Sequence, residues 1–479
     1  MFKKINFGKS AGEEESSEYP ALLTDGFYNF NNSLEKISNE SYFLVQGFKG
    51  CGKSSIAEKI CIENKSKPNF FTELIYLRDF PFKRFSEIYP SKEADEVKFP
   101  KSWRYLLLSK ILNNIIKSMK SNQWSDEDKP IRESIDKLKS LGLISSGDIN
   151  HLTLDASKKA FKINLANVVQ YKNENIEHND TYIFFDNLIT ILTEVIEKTK
   201  IGGIILIDGL DDVILNNRLQ LKTLSALIFE TGFLNRFFKK GNLNIKICIL
   251  IRVDLYERLP SGNKNKSARD SSILMNWYND VMDHEQTHLV KAANIRTKLS
   301  LGTGYSLSDF FPEEISLSYN TNKNTISFLL DHTRHTPRDF FQLLKSIQNH
   351  YNPSIPNAKI SNDEILKGIR EYSYDYFLPE IRDEISGYID EEIFEYFLTS
   401  ISKIKQREFK YETLLENFHS NGEEIKKLND LLKTLFKCSA IGHKFSDNKY
   451  EYVFRNKYAK FDREKTICLH RGMWKALNL

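Results

Sequence analysis

The run Gly47-Phe-Lys-Gly-Cys-Gly-Lys-Ser54 constrains this chain more than any other stretch of it. It fits G-x-x-x-x-G-K-[ST] without a gap. Glycine is required at such positions because the backbone must curl until successive N–H groups point inward at an anion, where a side chain would collide. Ser41 to Gln46, rich in β-formers, precedes the run, and the helix-compatible Ser55 to Glu63 follows it, so the expected order is strand, glycine loop, helix. In that order Gly47, Phe48, Lys49, Gly50, Cys51, Gly52, Lys53, Ser54 and Ser55 wrap the phosphates of a nucleoside triphosphate. Lys53 reaches the β- and γ-phosphates, Ser54 ligates Mg²⁺, and the helix turns its positive end to the anion.

Ile204-Ile-Leu-Ile-Asp-Gly-Leu-Asp-Asp212 supplies a second element. An apolar strand that ends in an acid sets Asp208 at the carboxyl edge of a sheet, where it can hold Mg²⁺ through water. Asp211 and Asp212 follow closely, and a carboxylate from either can orient or deprotonate an attacking water. No Asn-Lys-x-Asp guanine reader occurs in the chain, which favours ATP over GTP.

The rest of the chain reads as an α/β P-loop NTPase with a mainly parallel sheet and helices on both faces. Further strands are expected at Glu73 to Leu77, Ile204 to Ile207 and Ile245 to Ile251. Trp103, Leu107, Ile111 and Ile115 recur every four positions, which places a helical insertion at about 83–180. After Asp254 strand signals almost vanish, and Ser271 to Leu299 and Thr325 to His350 read as helices of a lid. Prolines and turn formers between Tyr351 and Ser361 mark a boundary. Helical segments around Asp363 to Phe377, Glu391 to Ile404, Tyr411 to Phe418 and Glu423 to Phe436 come next. Two strand-like runs, Ala440 to Phe445 and Tyr450 to Phe454, follow across a Ser-Asp-Asn-Lys turn, giving the outline of a winged helix. The expected division is thus an NTPase domain over 1–270, a helical lid over 271–350 and a winged-helix-like domain over 351–479.

The run Asp208-Gly-Leu-Asp-Asp212 resembles the extended acidic motif of the NACHT branch of STAND ATPases, regulatory relatives of the AAA+ class. There the first acid serves magnesium and the later pair serves hydrolysis; here the final position is Asp where Glu is usual. Ile247-Cys-Ile-Leu-Ile-Arg-Val-Asp254 is similar to the sensor strand of those proteins, which implies Arg252 near the γ-phosphate. His335-Thr-Pro-Arg-Asp339, at the start of a helix, resembles the Pro-Arg second sensor of AAA+ lids, which implies Arg338 over the same phosphate. Asn6-Phe-Gly8 with its acids, and the ending from Phe454-Arg-Asn-Lys-Tyr458 to His470-Arg-Gly-Met-Trp474, also look like stand-alone bacterial ATPases often encoded beside phage-defence genes. The resemblance implies a slow, Mg-dependent ATPase that acts as a switch, with a homo-oligomer or a protein partner as its output.

A nucleotide-binding scaffold with little hydrolysis is the alternative if neither Asp211 nor Asp212 reaches water, and charge supplies another competing reading. Ser400 to Leu479 holds 17 Lys+Arg against 10 Asp+Glu, a surplus of 7, while the whole chain is only +4. Lys444, Lys449, Arg455, Lys457 and Lys460 lie on or near the expected hairpin with Tyr450, Tyr452 and Tyr458, a mixture that suits nucleic-acid phosphates and bases. Substitution of the output by a membrane role is not expected: Met1 to Tyr19 has no apolar core and Ile201 to Ile207 is too short to span a bilayer, so the chain reads as cytoplasmic. The five cysteines form no Cys-x-x-Cys pair and read as reduced, mostly buried thiols.

Overall fold

The computed structural model describes residues 1–78, 80–88, 95–119, 129–140, 148–159, 181–210, 218–260, 270–318, 321–352, 358–418, 422–446 and 449–479. The end of the expected insertion (160–180), the centre of the proline-rich boundary (353–357) and the hairpin turn (447–448) lie outside them, as do Asp211 and Asp212. The chain packs as two compact units, one of Asn31–Gly47 and Lys53–Met275, the other of Met1–Phe30, Phe48–Gly52 and Asn276–Leu479.

The first unit is built on a five-stranded sheet of β1 (Leu44–Gly47), β2 (Phe70–Tyr76), β3 (Gly202–Asp208), β4 (Ile245–Arg252) and β5 (Ser272–Met275). Their order is β2-β3-β4-β1-β5, and every pairing is parallel. The apolar runs Ile204–Ile207 and Ile247–Ile251 are buried throughout, as central parallel strands covered on both faces must be. The helix Lys53–Asn64 follows β1 directly across the glycine loop. In the insertion, Trp103, Leu107, Ile111 and Ile115 are all buried on one side of the helix Asp95–Ser118. That helix is tied to the helix Arg218–Lys240 by Trp103 Nε1, which donates to Thr223 O at 2.8 Å, and by Arg104, which grips the buried Glu230 carboxylate at 2.6 Å.

Two expectations are corrected. Ser271 to Leu299 is not one helix: Ser272–Met275 is the fifth strand, paired with β1, and the α-helix begins only at His288. Four residues are too few to display a period, and the pairing that makes them a strand comes from residues more than two hundred positions earlier. Strands also persist beyond Asp254, because β6 (Glu314–Ser318) and β7 (Thr321–Asn324) form an antiparallel hairpin of mostly polar residues that no apolar alternation announces.

The second unit gathers the N-terminal segment, the helices His288–Leu301, Thr325–Leu330 and Pro337–His350, and the C-terminal module. Thr325 to His350 is helical in two pieces, and the second starts within His335–Asp339 as the sequence suggested. Pro337 lacks an N–H, Thr336 caps the second helix by accepting from Asp339 N at 3.2 Å, and His335 takes a left-handed turn at φ 52°. One face of the second helix holds the N-terminal backbone. Lys345 Nζ donates to Gly8 O at 3.0 Å, and Gln348 Nε2 donates to Phe2 O and Ile5 O at 2.7 and 2.9 Å. Phe2 itself is buried among Phe7, Phe310, Phe311 and Tyr351.

The helix Asn362–Glu371 starts on a Ser361/Glu364 capping box, widens into a π-helix over Tyr372–Phe377 and continues as the helix Leu378–Ile385. Helix Glu391–Ile404, β8 (Glu408–Phe409), helices Tyr411–Asn417 and Gly422–Lys437, β9 (Ile441–Ser446), β10 (Lys449–Glu451) and β11 (Ile467–Leu469) complete a winged helix whose antiparallel sheet runs β10-β9-β11-β8. The short β8 and β11 went unread in the sequence, and β10 ends at Glu451 rather than Phe454.

Candidate functional site

In the first unit, parallel register sets the candidate residues at one sheet edge. Gly47 pairs with Arg252, while Ile207 and Leu44 both pair with Ile249, so Asp208 at the end of β3 stands about two residues short of Gly47 and Arg252. Strands β1 and β3 flank β4, which puts their ends about 10 Å apart. Asp208 is buried, and Gly209 turns the chain at φ 75° directly after it. Lys53 is buried at the start of the loop helix, with Nζ 3.5 Å from Gly47 O. Ser54 and Ser55 follow it in the first turn, half-buried.

Arg252 closes a fork with Asp254, Nε donating to Oδ1 and Nη2 to Oδ2 at 2.9 Å each. Burial alone would raise the Asp254 carboxyl, but the Arg252 guanidinium outweighs it, aided by Arg258 and Lys53, and holds the group below the usual carboxylate range. No role for Asp254 was legible in the sequence. An acid two residues beyond a proposed sensor arginine was the available signal.

In the second unit, the loop tip Phe48–Gly52 is fixed by groups far away in sequence. Gly50 and Gly52 have φ of 78° and 90°, the left-handed region that L side chains rarely enter. A Cβ on Gly50 would stand 3.0 Å from Arg338 Cβ. Arg338 N donates to Gly50 O at 3.3 Å, and Trp277 Nε1 donates to Cys51 O at 2.9 Å. The Arg338 guanidinium bonds Ser10 O through Nε at 3.0 Å and the Glu380 carboxylate through Nη1 at 3.3 Å. Lys49 Nζ lies 3.0 Å from Glu380 Oε1, the same atom. Trp277, Ser10 and Glu380 were all missed in the sequence, and for Glu380, 42 residues from Arg338, nothing local announced the pairing.

Taken unit by unit, the buried Lys53 and Asp208 of the first suit an anion and, with Ser54, a Mg²⁺ ion, while the positive φ of Gly50 and Gly52 in the second suits a backbone that turns its N–H groups to a phosphate. Among the described residues no group of three or more His, Cys, Asp or Glu could hold a metal ion by side chains alone. Cysteine chemistry is poorly served. Burial pushes the thiols of Cys61 and Cys248 up to about 12 and that of Cys468 to about 11.

The C-terminal basic residues divide into two kinds. Lys444 pairs with Glu408 at 2.9 Å, Arg455 with Asp331 at 3.4 Å, Tyr450 donates to Glu408 at 2.7 Å, and Tyr452 is buried. These serve the fold. Lys449, Lys457 and Lys460 are exposed, and Tyr458 and Phe445 are 77% and 69% exposed, with Lys457 over the Tyr458 ring at 4.9 Å. An open groove of about 600 Å³ beside them mixes Lys460, Arg463 and Lys465 with Glu451, Asp462 and Glu464, so the groove itself favours neither sign of ligand. Among the described residues no helix is long and apolar enough to cross a membrane.

No protein-family model matches the sequence, and no curated protein matches it. Two solved structures are similar over nearly their whole length. The Aeropyrum pernix ORC1 protein in complex with DNA matches with a TM-score of 0.42 and 10% identity over 96% of this chain and 94% of that one. The Aeropyrum pernix ORC2 protein in ADPNP-ADP complexes matches with a TM-score of 0.32 and 10% identity over 98% of this chain and 93% of that one. At that identity and those scores neither likeness assigns a residue or a ligand here.

Proposed function

We propose that the chain binds Mg-ATP at Gly47–Ser54, hydrolyses it slowly, and engages duplex nucleic acid through its C-terminal winged helix. The observation that carries the nucleotide half is the loop between β1 and its helix, with Gly50 and Gly52 at positive φ and Lys53 buried at the helix start. Such a loop presents consecutive N–H groups and one ammonium to an anion. In this reading Asp208 and Ser54 would hold Mg²⁺, which would supply charge neutralisation to the phosphates. Asp211 or Asp212 orients the attacking water, and Arg252 and Arg338 report on the γ-phosphate. Titration with a fluorescent ATP analogue, with Lys53→Ala as control, tests binding. Phosphate release by Asp211→Asn and Asp212→Asn tests hydrolysis, and undiminished release in both would remove them from catalysis.

The nucleic-acid half is supported by the exposed Lys449, Lys457 and Lys460 beside the solvent-facing Tyr458 and Phe445. It predicts binding that weakens steeply with salt. Reversing the charge of Lys449, Lys457 and Lys460 together should abolish it, and unchanged affinity for a duplex would remove this half. Lys444 is a poor choice for that test, since its loss also removes the ammonium paired with Glu408.

A second reading, the regulatory switch implied by the STAND resemblance, is favoured by Glu380, which joins the loop tip to a helix of the C-terminal half. It predicts a change in assembly size between ATP and ADP, measurable by light scattering. A role in phage defence follows from the resemblance alone.

A further inference from the structure

We propose that Glu380 is a positioning residue that competes with the phosphates of the bound nucleotide for Lys49 and Arg338, and so couples the loop to the C-terminal module. The inference rests on the ATP reading above. One oxygen, Glu380 Oε1, serves both cations, at 3.0 Å from Lys49 Nζ and 3.3 Å from Arg338 Nη1. Lys49 belongs to the phosphate loop, and the Arg338 backbone is bonded to that loop at Gly50 O. A phosphate against the loop therefore offers these cations an anion of higher charge than the carboxylate they hold.

Glu380 cannot follow them. Four residues on, Glu384 accepts from Arg334 Nη1 at 2.7 Å, and Arg334 is itself forked onto Asp339 through Nε and Nη2 at 2.9 and 3.1 Å. Arg334, Asp339 and Glu384 all have less than a tenth of their side-chain surface exposed. The helix Leu378–Ile385 is thus pinned at Glu384, and movement of Arg338 or Lys49 breaks the bonds to Glu380 instead of dragging the helix. The same helix is continuous with the π-turn Tyr372–Phe377, whose Phe377 stacks on His470 with centroids 4.9 Å apart and whose Ser373 Oγ donates to Gly472 O at 2.6 Å. Release of Glu380 therefore alters the restraint on a segment packed directly against the last elements of the winged helix. Nothing in this arrangement requires a covalent step. Its content is a difference in affinity of the two cations for two anions, reciprocal by linkage.

The test is Glu380→Gln, which keeps the side chain's shape and removes its charge. Affinity for the fluorescent ATP analogue should rise roughly tenfold, and amide exchange of 371–385 should become independent of nucleotide, whereas ATP should change it in the wild type. A dissociation constant within twofold of wild type, or a weaker one, would overturn the proposal. So would wild-type exchange over 371–385 that ignores ATP. Should Glu380→Gln fail to fold, Glu380→Asp, which shortens the reach but keeps the helix, must also tighten binding, and failure to do so has the same force. A wild-type chain that binds no nucleotide would end the ATP reading and this inference with it, whereas normal wild-type binding with an unresponsive Glu380→Gln ends this inference alone.

Discussion

Arg252 and Asp254 meet side-on, with both nitrogens of the guanidinium edge 2.9 Å from separate carboxylate oxygens. The pair sits where β4 ends beside Gly47, so the arginine proposed to sense the γ-phosphate is already oriented by a neighbour. Arg252→Ala should lower turnover at least tenfold, about 1.4 kcal/mol of barrier, while ATP affinity stays within about threefold. Asp254→Asn should lower turnover less. Steady-state phosphate release with parallel binding titrations separates these effects, and an equal loss of affinity and turnover in Arg252→Ala would assign the residue to ground-state binding instead.

Gly50→Ala should fail for two reasons that act together. The added methyl would stand 3.0 Å from Arg338 Cβ, and the residue would keep a φ of 78°. A cost of about 1–2 kcal/mol in stability is expected from the backbone alone, together with loss of nucleotide binding. Urea unfolding and analogue titration measure the two parts, and wild-type affinity in this variant would show that the loop tolerates a side chain there.

The loop was legible in the sequence because a backbone constraint is written into eight contiguous residues. The apolar strands β3 and β4 were legible for the same local reason, since burial on both faces demands an unbroken apolar run. What escaped depends on partners distant in sequence. Ser272–Met275 becomes a strand only by pairing with Leu44–Gly47. Lys444 and Arg455 read as free positive charge until the fold supplies Glu408 and Asp331. Glu380 has no local mark of its tie to Lys49, whereas the helix start at Pro337 was legible in His335-Thr-Pro-Arg-Asp339.

Arg334 and Asp339 form a buried, doubly hydrogen-bonded pair, and Tyr376 Oη donates to Asp339 Oδ1 at 2.9 Å. Asp339→Ala leaves the guanidinium with Glu384 alone and should destabilise the chain by about 3–5 kcal/mol. Chemical denaturation measures this, and a loss below about 1 kcal/mol would mean that the pair is dispensable to the fold.

Acid should destabilise the second unit in a defined window. Burial lowers the pKa of His332 to about 4 and those of His335 and His470 to about 3, from an ordinary value of 6.5. The folded state then binds fewer protons than the unfolded one, so the stability these neutral rings contribute is complete above pH 6.5 and is lost as pH falls below it. Each histidine should cost roughly 2 kcal/mol between pH 6.5 and 5. The carboxyls of Asp331 and Asp339, held below their ordinary value against burial by Lys323 and Arg334 respectively, give way only at lower pH. Melting temperature in a buffer series from pH 7.5 to 5 should fall steadily below 6.5, and a flat profile would contradict the burial of these rings.

The central claim is that Gly47–Ser54 binds ATP, and thermal unfolding with Mg-ATP tests it most directly. At a ligand concentration about a hundred times the dissociation constant, the wild-type chain should gain about 2.7 kcal/mol, seen as a clear rise in melting temperature. Lys53→Ala should show no rise at the same concentration. An equal rise in the two proteins, or none in the wild type, would contradict the account.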